Sequence, residues 1–360
     1  SGRDNSGSDD RLAMTLSAIV LAAGKGTRMK SDVAKPLHLV RGRSLLAWVI
    51  HALGAVELEN VVVVVGHGRD SVVASLDADF EREFLYAEQL SQRGTGDAAA
   101  VGLAELDLFD NSFSDDDHVI VMPGDTPMLS GETVAALVES HLASGAAATV
   151  VTAVLEDPDG YGRILRAGNG AVAAIVEHRD ASADQRSIGE INGGIYCFRR
   201  SLLAPALRLI SSENAQGEMY LTDAIGVLAE AGHPVDAFIA DPVEIGGVND
   251  RSQLGFASEL LGSRIAQAHM RNGVTIEQPS STIIDASVVI EPDATVHAAT
   301  VLQGDTIIGA GAVIGPNTHL VDAVIEAGAQ VRSSVVSGVV VAAGTIVGPF
   351  EHRTVDNDTT

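Results

Sequence analysis

Residues 284–320 read IDASVVIEPDATVHAATVLQGDTIIGAGAVIGPNTHL. Ile284, Ile290, Val296, Leu302, Ile308, Ile314 and Leu320 stand six apart without a miss. Four residues after each of the first six come Val288, Ala294, Thr300, Thr306, Ala312 and Thr318, all small or β-branched. A hexapeptide period is the mark of a parallel β-helix, whose inward side chains stack coil on coil. Ordinary strands joined by glycine turns would not hold seven residues in register. The phase slips after Leu320 and resumes at Ile325 and Val331, then at Val341 and Val347, which reads as a bulge or an insert. At three hexapeptides per coil, residues 274–350 make about four coils.

Upstream of the repeat the pattern changes to alternating strands and helices. Leu16 to Ala22 and Val61 to Val65 are apolar strands, and Leu85 to Ala87 and His118 to Met122 complete a set. Helices are expected from Leu45 to about Leu53, with Ser44 as N-cap, and from Asp97 to Leu106. This βαβ alternation predicts a mostly parallel sheet with helices on both faces. From 147 to 197 the strands at 147–154, 163–166, 171–177 and 195–198 predict a mixed sheet. Helices are expected at 200–209, 221–231 and 250–269. The fold class expected is α/β: a Rossmann-like domain with a mixed sheet, then a short, left-handed hexapeptide β-helix. The boundaries expected are a disordered tail at 1–14, the α/β domain at 15–250, a linking helix at 251–273, a truncated β-helix at 274–350 and a frayed end at 351–360.

The formal charge of −25 excludes a nucleic-acid groove, which needs a basic stripe. It leaves nucleotides open, because magnesium and a few local cations can offset the field. Cys197 is the only cysteine and reads as an inert core thiol. No apolar run reaches the length of a membrane span, and no signal peptide is visible, so a cytoplasmic location without membrane contact is expected. Asp115-Asp116-Asp117 reads as a solvated loop, and His67 and His178 as loop and pocket-rim residues.

The chain has only three lysines, Lys25, Lys30 and Lys35, within eleven residues. An ammonium is a compact point charge suited to phosphate oxygens. The lysines surround Gly24-Lys25-Gly26-Thr27-Arg28, a turn that follows the first strand. It is neither a dinucleotide fingerprint nor a Walker A loop. Glycines there still let backbone N–H groups approach phosphate. Gly124-Asp125-Thr126-Pro127 ends another strand, and an Asp so placed can ligate magnesium. Gln89 to Gly96 follows a third; an amide carries both a donor and an acceptor for a nucleobase edge. All three loops belong on the carboxyl rim of the sheet, where such folds place their sites.

These segments together resemble the sugar-phosphate nucleotidylyltransferases. Gly160-Tyr161-Gly162-Arg163, Ile175-Val176-Glu177-His178, Glu190-Ile191-Asn192-Gly193-Gly194, Asn214 to Asp223 and Gly247-Val248-Asn249 follow in that family's order. With hexapeptides after them, the chain resembles the bacterial bifunctional N-acetylglucosamine-1-phosphate uridylyltransferase/glucosamine-1-phosphate acetyltransferases over about residues 16 to 350. The resemblance implies uridylyl transfer from UTP to N-acetylglucosamine-1-phosphate, a Mg2+ cofactor and a role in cell-wall precursor synthesis. It implies that Leu21, Ala22, Ala23 and Gly24 line the uridine and that Gln89 and Gly94 read uracil. Arg28 and Lys35 would hold the triphosphate, and Asp125 and Asn249 the metal. Thr95, Gly162, Glu177, Asn192 and Thr222 would surround the sugar phosphate. Arg28, Lys35 and Asp125 would carry catalysis.

Two departures stand out. The family usually has His after Gly-Thr-Gly, where this chain has Asp97. The acetyl-transfer half needs more coils with its own polar residues, so that activity is expected to be absent. The family's β-helices associate as trimers, and a homotrimer is open here. Two other readings stay open: a relative using dTTP and glucose-1-phosphate, and a non-catalytic nucleotide-sugar sensor or scaffold.

Overall fold

A computed structural model describes residues 14–66, 68–110 and 114–355. His67, residues 1–13 and residues 356–360 lie outside the described residues. The chain divides into two compact units. The described residues up to Leu37, with Leu46–Gly247, form the first; His38–Leu45, with Val248 onward, form the second. An early hairpin thus belongs to the later unit.

Among the described residues, the first unit is built on a nine-stranded sheet. Strand Leu16–Leu21 is an inner strand, parallel to both Val61–Val65 and His118–Pro123. Leu85–Glu88 continues the parallel half beyond Val61–Val65. The other half is mixed: Glu190–Arg199 runs antiparallel to both His118–Pro123 and Ala148–Val154. The Arg163–Arg166 and Val172–Val176 hairpin hangs off it through the Ile191–Arg163 pair. The sequence places a strand only from Ile195; the actual strand starts at Glu190, because Gly193 and Gly194 sit at a register shift rather than ending the pairing.

Val61–Val65 reads as unbroken valine because both faces are covered. Ile19, Val62 and Val64 point into one core with Ala99, Leu103 and Leu106 of helix Thr95–Phe109. Val20, Val61 and Val63 point into the other with Val49 and Leu53 of helix Leu45–Leu53. Ser44 is paired with Leu39 in a two-stranded hairpin, so it enters that helix from a strand. Asp117 is not part of a solvated loop: it is 3% exposed and its carboxylate accepts from the Thr15 and Ser114 backbone N–H groups, each at 2.8 Å. It ties the start of two neighbouring strands together.

A buried histidine pair lies in the same unit. The His118 Nδ1 and His141 Nε2 atoms are 2.9 Å apart, and His141 Nδ1 is 2.8 Å from the Thr149 hydroxyl. Burial, then repulsion from His118 and Arg199, pulls His141 down to about 4. Burial also lowers His118. The unfolded chain therefore binds more protons than the folded one between the ordinary value near 6.5 and about 4. Stability should fall as pH drops through that window, by about 3 kcal/mol for His141. Urea midpoints measured from pH 7 to pH 4 check this; His141→Gln should flatten the dependence.

In the second unit, helix Arg251–Arg271 is capped by the Asp250 side chain, which accepts from the Gln253 N–H at 2.9 Å. Among the described residues three parallel ladders follow, of five, five and four short strands. Val296, Leu302, Ile308, Ile314 and Leu320 are fully buried, so the six-residue column is the inner wall. The slip after Leu320 is a shortening, not an insert. Val301 pairs with His319, eighteen residues on, but His319 pairs with Val335, only sixteen on. Val336, between Val331 and Val341, completes the inner column that the strict period loses. Strand His352–Thr354 pairs with Val335–Ser337, so ordered coil extends past 351, where a frayed end is expected. The early hairpin joins this unit through Arg41: its Nε donates to the Ser258 carbonyl at 2.8 Å, and its carbonyl accepts from the Ala286 N–H at 2.9 Å. No described helix is long and apolar enough to cross a membrane.

Candidate active site

The loops after the parallel strands are fastened to the sheet rim by bonds that continue its ladders. The Ala22 N–H donates to the Val64 carbonyl at 2.8 Å, Gly124 N–H to the Leu21 carbonyl at 2.9 Å and Gln89 N–H to the Val65 carbonyl at 2.8 Å. Their far sides open on a cavity of about 410 Å³. This is a ligand-sized space.

The cavity wall brings together Leu21, Ala22, Ala23, Gly24, Lys35, Gln89, Gly94, Thr95, Asp125, Glu177, Asn192 and Thr222. Two expected site residues, Arg28 and Gly162, are not on this wall, and a third, Asn249, falls in the second unit. Arg28 is exposed on the Thr27–Met29 turn and does not line the cavity, because that turn buries Met29 instead. Gly162 is buried, with its carbonyl accepting from the Asn192 N–H at 2.9 Å. Asn249 belongs to the second unit, where its N–H donates to Gln253 Oε1 at 2.7 Å.

Lys35 is the only lysine on the cavity wall; Lys25 and Lys30 are exposed. Its ammonium makes a salt bridge with the Asp125 carboxylate, and the two side chains are 12% and 23% exposed. Gly26 makes room for it. Gly26 has φ +59, and a Cβ there would lie 2.5 Å from Lys35 Cβ. Gly26→Ala should therefore displace Lys35 and lower kcat/KM by about tenfold or more, with the fold retained. Steady-state kinetics beside a melting curve check this.

The loop 93–96 is stitched to the segment before Thr222. Met219 N–H donates to the Arg93 carbonyl at 2.7 Å and Gly96 N–H to the Met219 carbonyl at 2.8 Å. The Leu221 N–H donates to the Thr95 hydroxyl at 3.0 Å. Gly94, at φ +112, has no room for a side chain: a Cβ would lie 2.4 Å from the Met219 carbonyl oxygen. Thr222 donates to Glu177 at 3.0 Å. Burial pushes the Glu177 carboxyl up, Thr222 opposes that, and Asp223 and Asp180 add repulsion. Asn192 Nδ2 donates to the Tyr196 hydroxyl at 2.7 Å across the register shift of its strand, and Asn192 Oδ1 accepts from the Gly194 N–H at 3.0 Å.

Several wall residues have no role of their own in the sequence reading: Gln92, Tyr196, Glu218 and Leu221. Gln92 donates to the Ala23 carbonyl and so links two rim loops. Tyr196 follows Asn192 by four residues, a same-face spacing that strand alternation offers as a signal. Asp97 does not point at the cavity as a stray charge. It is 5% exposed, in the first turn of its helix, and accepts from Gln89 and Arg93. His178 stays off the wall, near Asp159 at 3.4 Å.

Among the described residues, no cluster of three or more metal-ligating side chains gathers. Magnesium does not need one. It keeps waters and substrate phosphate oxygens and takes one or two protein carboxylates. Asp125, beside an ammonium on the rim, fits that pattern.

Residues 18–225 match the MobA-like NTP transferase domain. The chain is 48% identical over 336 residues to the bifunctional protein GlmU of Streptomyces avermitilis and 47% identical to that of Streptomyces coelicolor. Both matches cover 93% of this chain and 68% of the relative. GlmU of Brevibacillus brevis is 45% identical over 93% of this chain and 71% of its own length. An NTP transferase domain with a lysine–aspartate pair on its sheet rim, ahead of a hexapeptide β-helix, is matched over nearly its whole length by these proteins: the chain belongs to the GlmU family and is a nucleotidyltransferase.

Proposed function

We propose that the chain transfers a uridylyl group from UTP to N-acetylglucosamine-1-phosphate, giving UDP-N-acetylglucosamine and pyrophosphate. The observation that carries this is the single cavity wall shared by Gln89, Gly94, Lys35, Asp125, Glu177, Asn192 and Thr222. An amide and a glycine suit a base, an ammonium suits a triphosphate, and hydroxyl, amide and carboxyl groups suit a sugar.

A sugar-phosphate oxygen attacks the α-phosphorus in line, its bond to phosphorus forms, and the bond to the β-phosphate bridging oxygen breaks. Pyrophosphate leaves. The protein forms no bond to the substrates, so positioning and charge carry the rate. Lys35 holds phosphate oxygens by exchanging Asp125 for them. Asp125 would hold magnesium, which supplies charge neutralisation on the phosphates when bound. Glu177, Asn192 and Thr222 orient the sugar. A homotrimer through the β-helix belongs to the same reading and is checked by mass in solution.

The test is pyrophosphate release across UTP and dTTP, each with N-acetylglucosamine-1-phosphate and glucose-1-phosphate. UTP with N-acetylglucosamine-1-phosphate should be fastest. A preference for dTTP with glucose-1-phosphate would replace this assignment. UDP-N-acetylglucosamine binding without UTP turnover would make the chain a sensor. Parallel assays with acetyl-CoA and glucosamine-1-phosphate measure acetyl transfer.

A further inference from the structure

We propose that Asp97 is a positioning residue for base selection: it locks the Gln89 amide so that only its carbonyl oxygen faces the nucleobase. That orientation selects bases presenting a ring N–H. The inference rests on the uridylyl-transfer reading and deepens it.

Gln89 is 6% exposed and Asp97 is 5% exposed, so their polar atoms must find partners. Gln89 Nε2 donates to Asp97 Oδ2 at 2.8 Å and to the Gly94 carbonyl at 3.2 Å. Both partners are acceptors, and the amide nitrogen has two hydrogens. Turning the amide over would set its oxygen against two other oxygens, so the orientation is fixed by chemistry. Gln89 Oε1 takes no bond from the described residues, yet it is not among the sealed polar atoms, and Gln89 lines the cavity. This oxygen is the atom left for a ligand.

Asp97 can hold this position because it is itself held. It stands in the first turn of helix Thr95–Phe109, where a carboxylate is favoured by the helix end. Its other oxygen accepts from Arg93 Nη2 at 2.6 Å. Arg93 is 68% exposed and therefore a weak partner; the helix and Gln89 fix the carboxylate.

Uracil carries N3–H between two carbonyls, and a protein carbonyl oxygen accepts from it. Cytosine has a lone pair at that ring nitrogen, which would face Gln89 Oε1. Without Asp97 the amide can turn over and offer its NH2 to cytosine instead. Thymine shares the uracil edge, so this arrangement separates UTP from CTP and leaves dTTP to other contacts.

The experiment measures kcat and KM for UTP and for CTP, at fixed N-acetylglucosamine-1-phosphate, in the wild type, Asp97→Ala, Asp97→Ser and Asp97→Asn. In Asp97→Ala and Asp97→Ser the KM for UTP should rise about tenfold, with a smaller change in kcat. The UTP/CTP ratio of kcat/KM should fall about tenfold or more. Asp97→Asn, whose amide oxygen can still accept from Gln89, should keep most of that ratio. A merely structural role would weaken both nucleotides alike; an unchanged ratio in whichever of Asp97→Ala and Asp97→Ser folds would overturn the inference. A wild type inactive with UTP would instead overturn the function reading.

Discussion

Asp125→Ala should lower kcat by about 10³-fold or more while the protein stays folded. Asp125 stands two residues past the end of strand His118–Pro123, on a loop that Gly124 fastens to Leu21. Its carboxylate does two things in the proposed mechanism. It would hold magnesium against the phosphates, and it keeps the Lys35 ammonium in place until substrate arrives. Alanine removes both. The stability cost should stay near 1 kcal/mol, because both partners keep some contact with water and Lys35 can rehydrate. Kinetics at saturating magnesium, with a urea midpoint for each protein, separate the two effects. Near-normal turnover would contradict the metal role. Asp125→Asn keeps the size and a weak ligand oxygen, so it should fall between the two.

Arg200→Met should destabilise the first unit by about 3 kcal/mol without touching the cavity. Arg200 is 2% exposed at the start of helix Arg200–Leu207. Its Nη1 donates to Asp110 Oδ2 at 2.7 Å, and its Nη2 donates to Asp107 Oδ1 at 2.9 Å and to the Asp110 carbonyl at 2.7 Å. The fork thus closes the last turn of helix Thr95–Phe109, whose end carries partial negative charge. Methionine keeps most of the volume but leaves two carboxylates and a carbonyl without their cation. Both carboxylates are partly exposed, so water recovers some of the loss, which keeps the effect at the lower end for a broken buried pair. Denaturation of the single variant and of Asp107→Asn with Asp110→Asn measures the coupling. A change under 1 kcal/mol in Arg200→Met would mean that water already serves these groups.

How far the sequence reaches is clearest at particular residues. The hexad of Ile284 to Leu320 is legible because one geometric rule repeats in every coil. It fails at Asp322, φ +50, where a turn loses a residue and strand pairing carries on. The rim loops are legible because they follow strands, and strand ends are where an open sheet offers a crevice. The lysine cluster is legible from charge, and the resemblance then singles out Lys35 within it. Arg28 is not, because the direction of a side chain on a three-residue turn depends on which neighbour is buried. Asp97 looked like a misplaced charge because its partners, Gln89 and Arg93, are specified by the path of a loop and not by any period. Arg200 and the histidine pair are invisible for the same reason: their partners come from other elements of the fold.

The hairpin at His38–Leu45 has a consequence for synthesis on the ribosome. Its partners, Ser258 and Ala286, emerge more than two hundred residues later. At about 5–20 residues per second that is a wait of about 10–40 s. For that interval Arg41 has neither of these partners, although the strands on either side can already pair. The sheet can therefore mature before the partners of this piece of chain have been made. No single cut in the gene separates the two units cleanly, since a fragment beginning at Val248 would lack the peptide that Arg41 brings to its first coil.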